Sequence, residues 1–295
     1  MKKFILRCLL AAAIVIVMNV ISLVILNYYS PSFKKVHESS GFKNKKYDLL
    51  VFGNSLAMDG VDTEYLTKNG IKSYNFAIGG CHVSSCVIQL NNYLKNNAKP
   101  KAILLVLSSS TGRSFLNRVT FVNPEIEFFF NPTLENTILN PPPVKFRWLF
   151  AELIKIVVSK DHRHSTVVQG QWRSPKIIPD TSIYKNTNTT VFNYQDPYLS
   201  QIVDMCEKNR IRVIVTEFPA ANNLRNRLPY IYEAKTLNGK TMKVYNLNNY
   251  DISSGFIDSK NDWLAPNHFN QKGAVKISNY LRTHCLTEEF KSLQK

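Results

Sequence analysis

No two cysteines stand in a C-x-x-C arrangement anywhere in the 295 residues, and no His/Cys cluster has zinc-site spacing. That removes the common structural metal frameworks. The chain also lacks a Walker loop and a Gly-x-Gly-x-x-Gly turn, so neither of the usual phosphate cradles is present. No internal repeat and no second long apolar run occur. Nothing in the residues calls for a cofactor. Acidic residues are scarce: 21 Asp and Glu face 37 Lys and Arg, a formal net charge of +16. Such a field favours anionic partners, whether membrane lipid, phosphate-bearing polymers, acidic glycans or nucleic acid. Scattered lysines that merely keep a domain soluble would give the same count. With 44% hydrophobic and 20% charged residues, the chain has the composition of a folded protein rather than a disordered one.

Lys2, Lys3 and Arg7 precede an almost wholly apolar run from Cys8 to Leu26, broken only by Asn19 and Ser22. A bilayer-crossing helix needs roughly 20 apolar residues. No small-x-small cleavage site follows the run, and Tyr28 and Tyr29 suit an interfacial belt. The expectation is an uncleaved signal anchor over 1–27, with the cell membrane crossed once and the C-terminal domain outside the cytoplasm. Lys34, Lys35, Lys43, Lys45 and Lys46 make the far side basic as well, which weakens the charge bias. An anchored, exported chain is not expected to bind nucleic acid. Cys8 lies in the anchor, while Cys81, Cys86, Cys206 and Cys285 lie beyond it, where a disulfide is permitted. Cys81 and Cys86 are the nearest pair, although simple structural cysteines fit too.

Residues 28–46 are polar and basic and read as a tether. The domain, 47–295, then alternates strands with helices. Asp48–Phe52 reads as a buried strand, stopped by Gly53, and Asp62 opens a helix ended by Gly70. Ser73–Ile78 reads as a second strand, followed by a helix capped by Ser84 or Ser85. Ile103–Leu107 is a third strand. Between 112 and 197 the rhythm breaks into a proline- and aromatic-rich insertion, expected to pack over one end of the sheet. Its basic residues, Lys145, Arg147, Lys155, Lys160, Arg163, Arg173 and Lys176, form either a surface for an anionic polymer or a solvated face. A helix from Asp196, a strand over Arg212–Phe218, a further strand over Lys243–Leu247 and a last helix over Gln271–His284 complete the series. The fold class expected is α/β, a parallel sheet covered by helices on both faces. Function in such sheets collects at the strands' carboxyl ends.

Three pieces fall there. Gly53-Asn54-Ser55 follows the first strand, where glycine permits a tight turn and the serine projects at the sheet edge. Gly79-Gly80 follows the second strand, where bare N–H groups can face a developing oxyanion. Asn267-His268-Phe269-Asn270 opens the last helix. His82 follows the glycine pair closely enough to line a pocket, though a structural role serves as well. His162-Arg163-His164, without nearby carboxylates or cysteines, makes a poor metal site. Alone, each piece is weak. In this order, they resemble the SGNH/GDSL hydrolase and acyltransferase superfamily. VFGNSLAMDGVD (Val51–Asp62) is similar to its first block, with Asn54 in place of aspartate. YNFAIGG (Tyr74–Gly80) resembles the second block, and DWLAPNHFNQKGA (Asp262–Ala274) the last.

The resemblance implies a three-layer, flavodoxin-like fold and a serine mechanism. His268 would deprotonate Ser55, Ser55 would attack an ester or thioester carbonyl, and the Ser55 and Gly80 N–H groups would hold the oxyanion. Membrane-anchored branches of the superfamily acylate envelope glycans beside a multi-pass membrane acyl exporter. The expected function is therefore an O-acyltransferase or esterase on an anionic or neutral envelope polysaccharide. Two departures stand out. LVLSSSTGRS (Leu105–Ser114) lacks the asparagine of the third block, leaving Ser109, Ser110 or Arg113 as substitutes. Ala265 occupies the usual acid position, leaving Asp262, Asp258 or a backbone carbonyl to orient His268. The same departures suit an alternative, an inactive SGNH-like domain that binds or scaffolds an envelope polysaccharide.

Overall fold

The computed structural model describes residues 1–107, 122–133, 146, 149–151, 154, 166–174, 192–219, 228–265 and 268–292. The chain divides into two compact units, Met1–Gly41 with Pro124–His162, and Phe42–Asn123 with Arg163–Lys295.

In the first unit, α1 (Lys2–Tyr29) has a stretch of mean hydropathy 2.9 and is long and apolar enough to cross a membrane. Ser30 ends it and caps α2 (Pro31–Ser40), its hydroxyl accepting from the Phe33 N–H at 3.4 Å. Pro31 stands at the first helical position, where a missing N–H costs no hydrogen bond. Much of the stretch read as a tether is therefore helical. Leu26, Phe33 and Phe146 are buried together, with Phe128 and Phe129 packed against them. Phe33 meets Phe129 and Phe146 edge-on, each at 5.0 Å between ring centres. Part of the insertion expected over the sheet thus clusters with α1 and α2 instead. The reason is the aromatic surface that α2 offers to the helix Pro124–Phe130.

The second unit is α/β. Its strands are β1 (Leu49–Gly53), β2 (Ser73–Asn75), β3 (Ala102–Leu107), β4 (Thr166–Val168), β5 (Gln171–Arg173), β6 (Arg212–Glu217), β7 (Ile231–Lys235), β8 (Thr241–Asn246), β9 (Trp263–Ala265) and β10 (His268–Phe269). Six form one sheet in the order β2-β1-β3-β6-β8-β7. All neighbours are parallel except β7 with β8. The sheet is mixed rather than wholly parallel. The antiparallel edge follows from a tight return at Thr236–Lys240, where Gly239 takes a φ of 80°. Strands β1 and β3 are buried along their whole length, as unbroken apolar runs in the middle of a covered sheet must be.

Three helices matter for the site: α3 (Ser55–Gly60), α4 (Thr63–Lys68) and α5 (Val83–Asn96). Strand β2 stops at Asn75 because the Asn75 side chain turns back, donating to the Ala57 and Val61 carbonyls and accepting from the Ala77 N–H. Helix α5 begins after His82, not at Ser84 or Ser85. Ser85 sits inside the first turn, donating to Asn123 Oδ1 and accepting from the Asn123 N–H. The last long helix, Gln271–Leu281, is capped by Asn270, whose side chain accepts from the Lys272 and Gly273 N–H groups.

Candidate functional site

The site grows from the carboxyl end of β1. Gly53 has a φ of 147°, and a Cβ there would lie 2.6 Å from the Val106 carbonyl oxygen and 2.9 Å from the Ala57 Cβ. Only glycine lets the chain leave the sheet so close to β3. Asn54 then caps α3, its Oδ1 accepting from the Leu56 N–H at 3.0 Å. Aspartate and asparagine cap equally well, so the change of residue keeps the helix start intact. Ser55 is the first residue of α3 and is half-buried.

Asp59 follows Ser55 by one turn. Residues four apart share a helix face, separated by about 6 Å of rise. His268 Nδ1 lies 2.5 Å from Asp59 Oδ2, the carboxylate side chain 4% exposed and the imidazole 33%. Packing brings the two together. Gly60 ends α3 without a side chain, and a Cβ there would meet the rings of Phe218 and Phe269 at 3.0 Å. Phe269 stacks on buried Trp263 at 4.4 Å, which fixes β10 and hence the residue before it, His268. A carboxylate on Nδ1 favours the tautomer with Nδ1–H donating, leaving Nε2 as the basic nitrogen. No hydrogen bond joins Ser55 to His268 among the described residues.

The acid expected for His268 is corrected. Asp262 is fully buried but turns away, its Oδ2 accepting from Lys276 Nζ and from the Asp258 N–H, each at 2.6 Å. It braces the loop before His268. Asp258 accepts from Asn261 and from the Lys260 N–H, hydrogen bonds that hold its carboxyl below the ordinary range. Neither touches the histidine.

Gly79 and Gly80 form an exposed turn closed by the Cys81 N–H donating to the Ile78 carbonyl at 3.2 Å. The Ile78 N–H donates to the Gly53 carbonyl at 3.3 Å, so the glycine turn and the Ser55 helix start from the same sheet edge. A small cavity opens there, lined by Gly53, Asn54, Cys81, His82, Leu107 and Phe192 among others. Arg113, Ser109, Ser110, His162 and His164 lie outside the described residues. No group of three His, Cys, Asp or Glu side chains capable of holding a metal occurs among the described residues.

Two further residues escaped sequence reasoning. Gln171, from the β4–β5 hairpin, is fully buried and donates to the Asp59 carbonyl at 3.2 Å. Arg173 donates to Gln171 Oε1 and pairs with Asp62 at 2.9 Å and Glu64 at 2.7 Å. Counted in the sequence as part of a basic surface, Arg173 is instead committed to a local network. The signal for Asp59 was its spacing from Ser55; for Gln171 there was none.

No protein-family model matches the chain, and no curated protein does. One solved structure similar to it is a protein from Streptococcus pneumonia provisionally named platelet activating factor. It is 12% identical, with a TM-score of 0.34, and the alignment covers 92% of this chain and 97% of that one.

Proposed function

We propose that the chain is a serine-dependent O-acyltransferase or esterase of the SGNH type, anchored in the cell membrane by α1 with its α/β unit outside the cytoplasm. The observation that carries the reading is the Asp59–His268 contact, with Ser55 one helical turn before Asp59. Asp59 is thus the positioning carboxylate that the sequence lacked at position 265.

In the proposed reaction, His268 Nε2 takes the Ser55 proton as Ser55 Oγ bonds to the acyl carbonyl carbon. Negative charge moves to the carbonyl oxygen, facing the N–H groups of Ser55 and Gly80. The imidazolium then gives its proton to the departing oxygen or sulfur, leaving acyl-Ser55. A sugar hydroxyl of an envelope polysaccharide, or water, repeats the sequence in reverse, with His268 again the base. Closure of the Ser55–His268 contact on substrate binding belongs to this reading, since such contacts are often loose without ligand. The donor acyl group would arrive from a multi-pass membrane exporter.

The test is a serine-directed fluorophosphonate and p-nitrophenyl acetate on the detergent-solubilised full chain, beside Ser55→Ala and His268→Ala. Labelling at Ser55, with turnover lost in both variants, is expected. Full acyl release by Ser55→Ala overturns the reading. No labelling or turnover in the wild type, with and without membrane extract, favours the polysaccharide-binding scaffold instead.

A further inference from the structure

The thiols of Cys81 and Cys86 lie 3.7 Å apart, both buried, and both line the cavity beside Gly53 and Asn54. Their placement has a local cause. His82 is the N-cap of α5, so Cys81 precedes the cap and Cys86 is the fourth helical residue. Side chains at these two positions meet across the helix start as a hydrophobic staple. Here both members of the staple carry sulfur. The remaining two cysteines of the α/β unit are differently placed. Cys206 is buried in the helix Pro197–Lys208, and Cys285 lies against the Tyr230 hydroxyl at 3.4 Å. Burial pushes each of those thiols up to about 12, where they are inert.

We infer that Cys81 and Cys86 are a disulfide-forming pair, oxidised in the exported protein by a thiol–disulfide oxidant. The bond converts the staple at the start of α5 into a covalent clamp. One thiolate attacks the oxidant's disulfide, forming a mixed disulfide and releasing one oxidant thiol. The second thiolate attacks the mixed disulfide, closing Cys81–Cys86 and releasing the other thiol. Two protein thiols are oxidised and one oxidant disulfide is reduced, and both thiol protons are accounted for. The step takes place as the chain emerges, before the pair is buried.

The clamp has one consequence for the neighbouring turn. Cys81 closes the Gly79–Gly80 turn through its N–H, so fixing the Cys81 side chain fixes the backbone next to Gly80. The inference rests on the exported placement of the α/β unit but not on acyl chemistry at Ser55.

It is tested on the full chain in its native membranes. Cells are quenched in acid and denatured, accessible thiols are capped with N-ethylmaleimide, and the sample is reduced and capped again with a deuterated form. Mass spectrometry of the peptide holding both cysteines gives the result. Cys81 and Cys86 should carry the deuterated label and Cys206 and Cys285 the light one. In Cys86→Ser, Cys81 should switch to the light label. Light label on both cysteines of the wild type overturns the inference, as does deuterated Cys81 paired with Cys206 or Cys285. Because the readout is thiol state, it is unaffected if Ser55 proves inert.

Discussion

At Asp59 a single carboxylate separates two kinds of effect. Asp59→Asn keeps the shape and the buried position but can no longer favour the imidazole tautomer with a basic Nε2. Turnover of p-nitrophenyl acetate should fall about 10²–10⁴-fold while the melting temperature moves by only a few degrees. Asp262→Asn should behave in the opposite way. It removes the charge facing Lys276 and weakens the brace on the Asp258 N–H, so thermal melting should drop by several degrees. Activity per folded molecule should stay within a few-fold, which paired melting and rate measurements would check. Ser55 stood out as a candidate because it follows a strand whose apolar pattern is plain, and His268 because it opens the stretch leading into the last helix. Asp59 stands four residues after Ser55, but a six-residue helix ending in glycine leaves no periodic signature by which that spacing could be read as a shared helix face. Its partner was fixed by Phe269 and Trp263 packing, which is a tertiary event.

The turn from β1 into α3 depends on a missing side chain. Gly53→Ala would place a methyl group 2.6 Å from a backbone oxygen and hold alanine at a positive φ, so backbone rather than a flexible side chain must yield. A loss of about 2–4 kcal/mol in urea unfolding is expected, with activity lost beyond what unfolding explains. Helices α4 and Pro197–Lys208 were readable because Asp62 and Asp196 cap them as such residues do. Strand β7 was not, because its exposures alternate irregularly at a sheet edge and only pairing with β8 defines it. The β4–β5 hairpin was hidden for a related reason. Only glycine fits at position 170, since a Cβ there would lie 2.0 Å from the Asn75 carbonyl oxygen, a close approach across 95 residues of sequence.

Taken whole, the molecule carries one pH response that the sheet builds in. Glu217, at the carboxyl end of β6, is fully buried and accepts hydrogen bonds from the Tyr194 and Tyr232 hydroxyls at 2.8 and 2.7 Å. Burial raises its carboxyl above the ordinary range, outweighing those hydrogen bonds and one from the Phe192 backbone. The folded chain therefore holds this proton more tightly than the unfolded chain does. The stability so gained is complete below the unfolded value of about 4.3 and is lost as pH rises through the folded value. Glu217→Gln should flatten that decline, with urea midpoints of wild type and variant diverging as pH is raised from about 4.5 to 7. The α/β class was legible from strand and helix rhythm, whereas the division into two units was not, since it rests on aromatic rings far apart in the chain.

That division sets an order of events during synthesis. Phe33 leaves the ribosome early, yet Phe128, Phe129 and Phe146 follow only after the whole intervening stretch Phe42–Asn123 has been made. At about 5–20 residues per second, the first unit waits some seconds for its second half. During that interval the aromatic side of α2 is exposed, and the α/β unit cannot close either, because β6 and β8 come later still. The first unit thus completes its aromatic core only once Phe146 has been made, and a slowed ribosome between residues 42 and 123 would lengthen the exposure of α2.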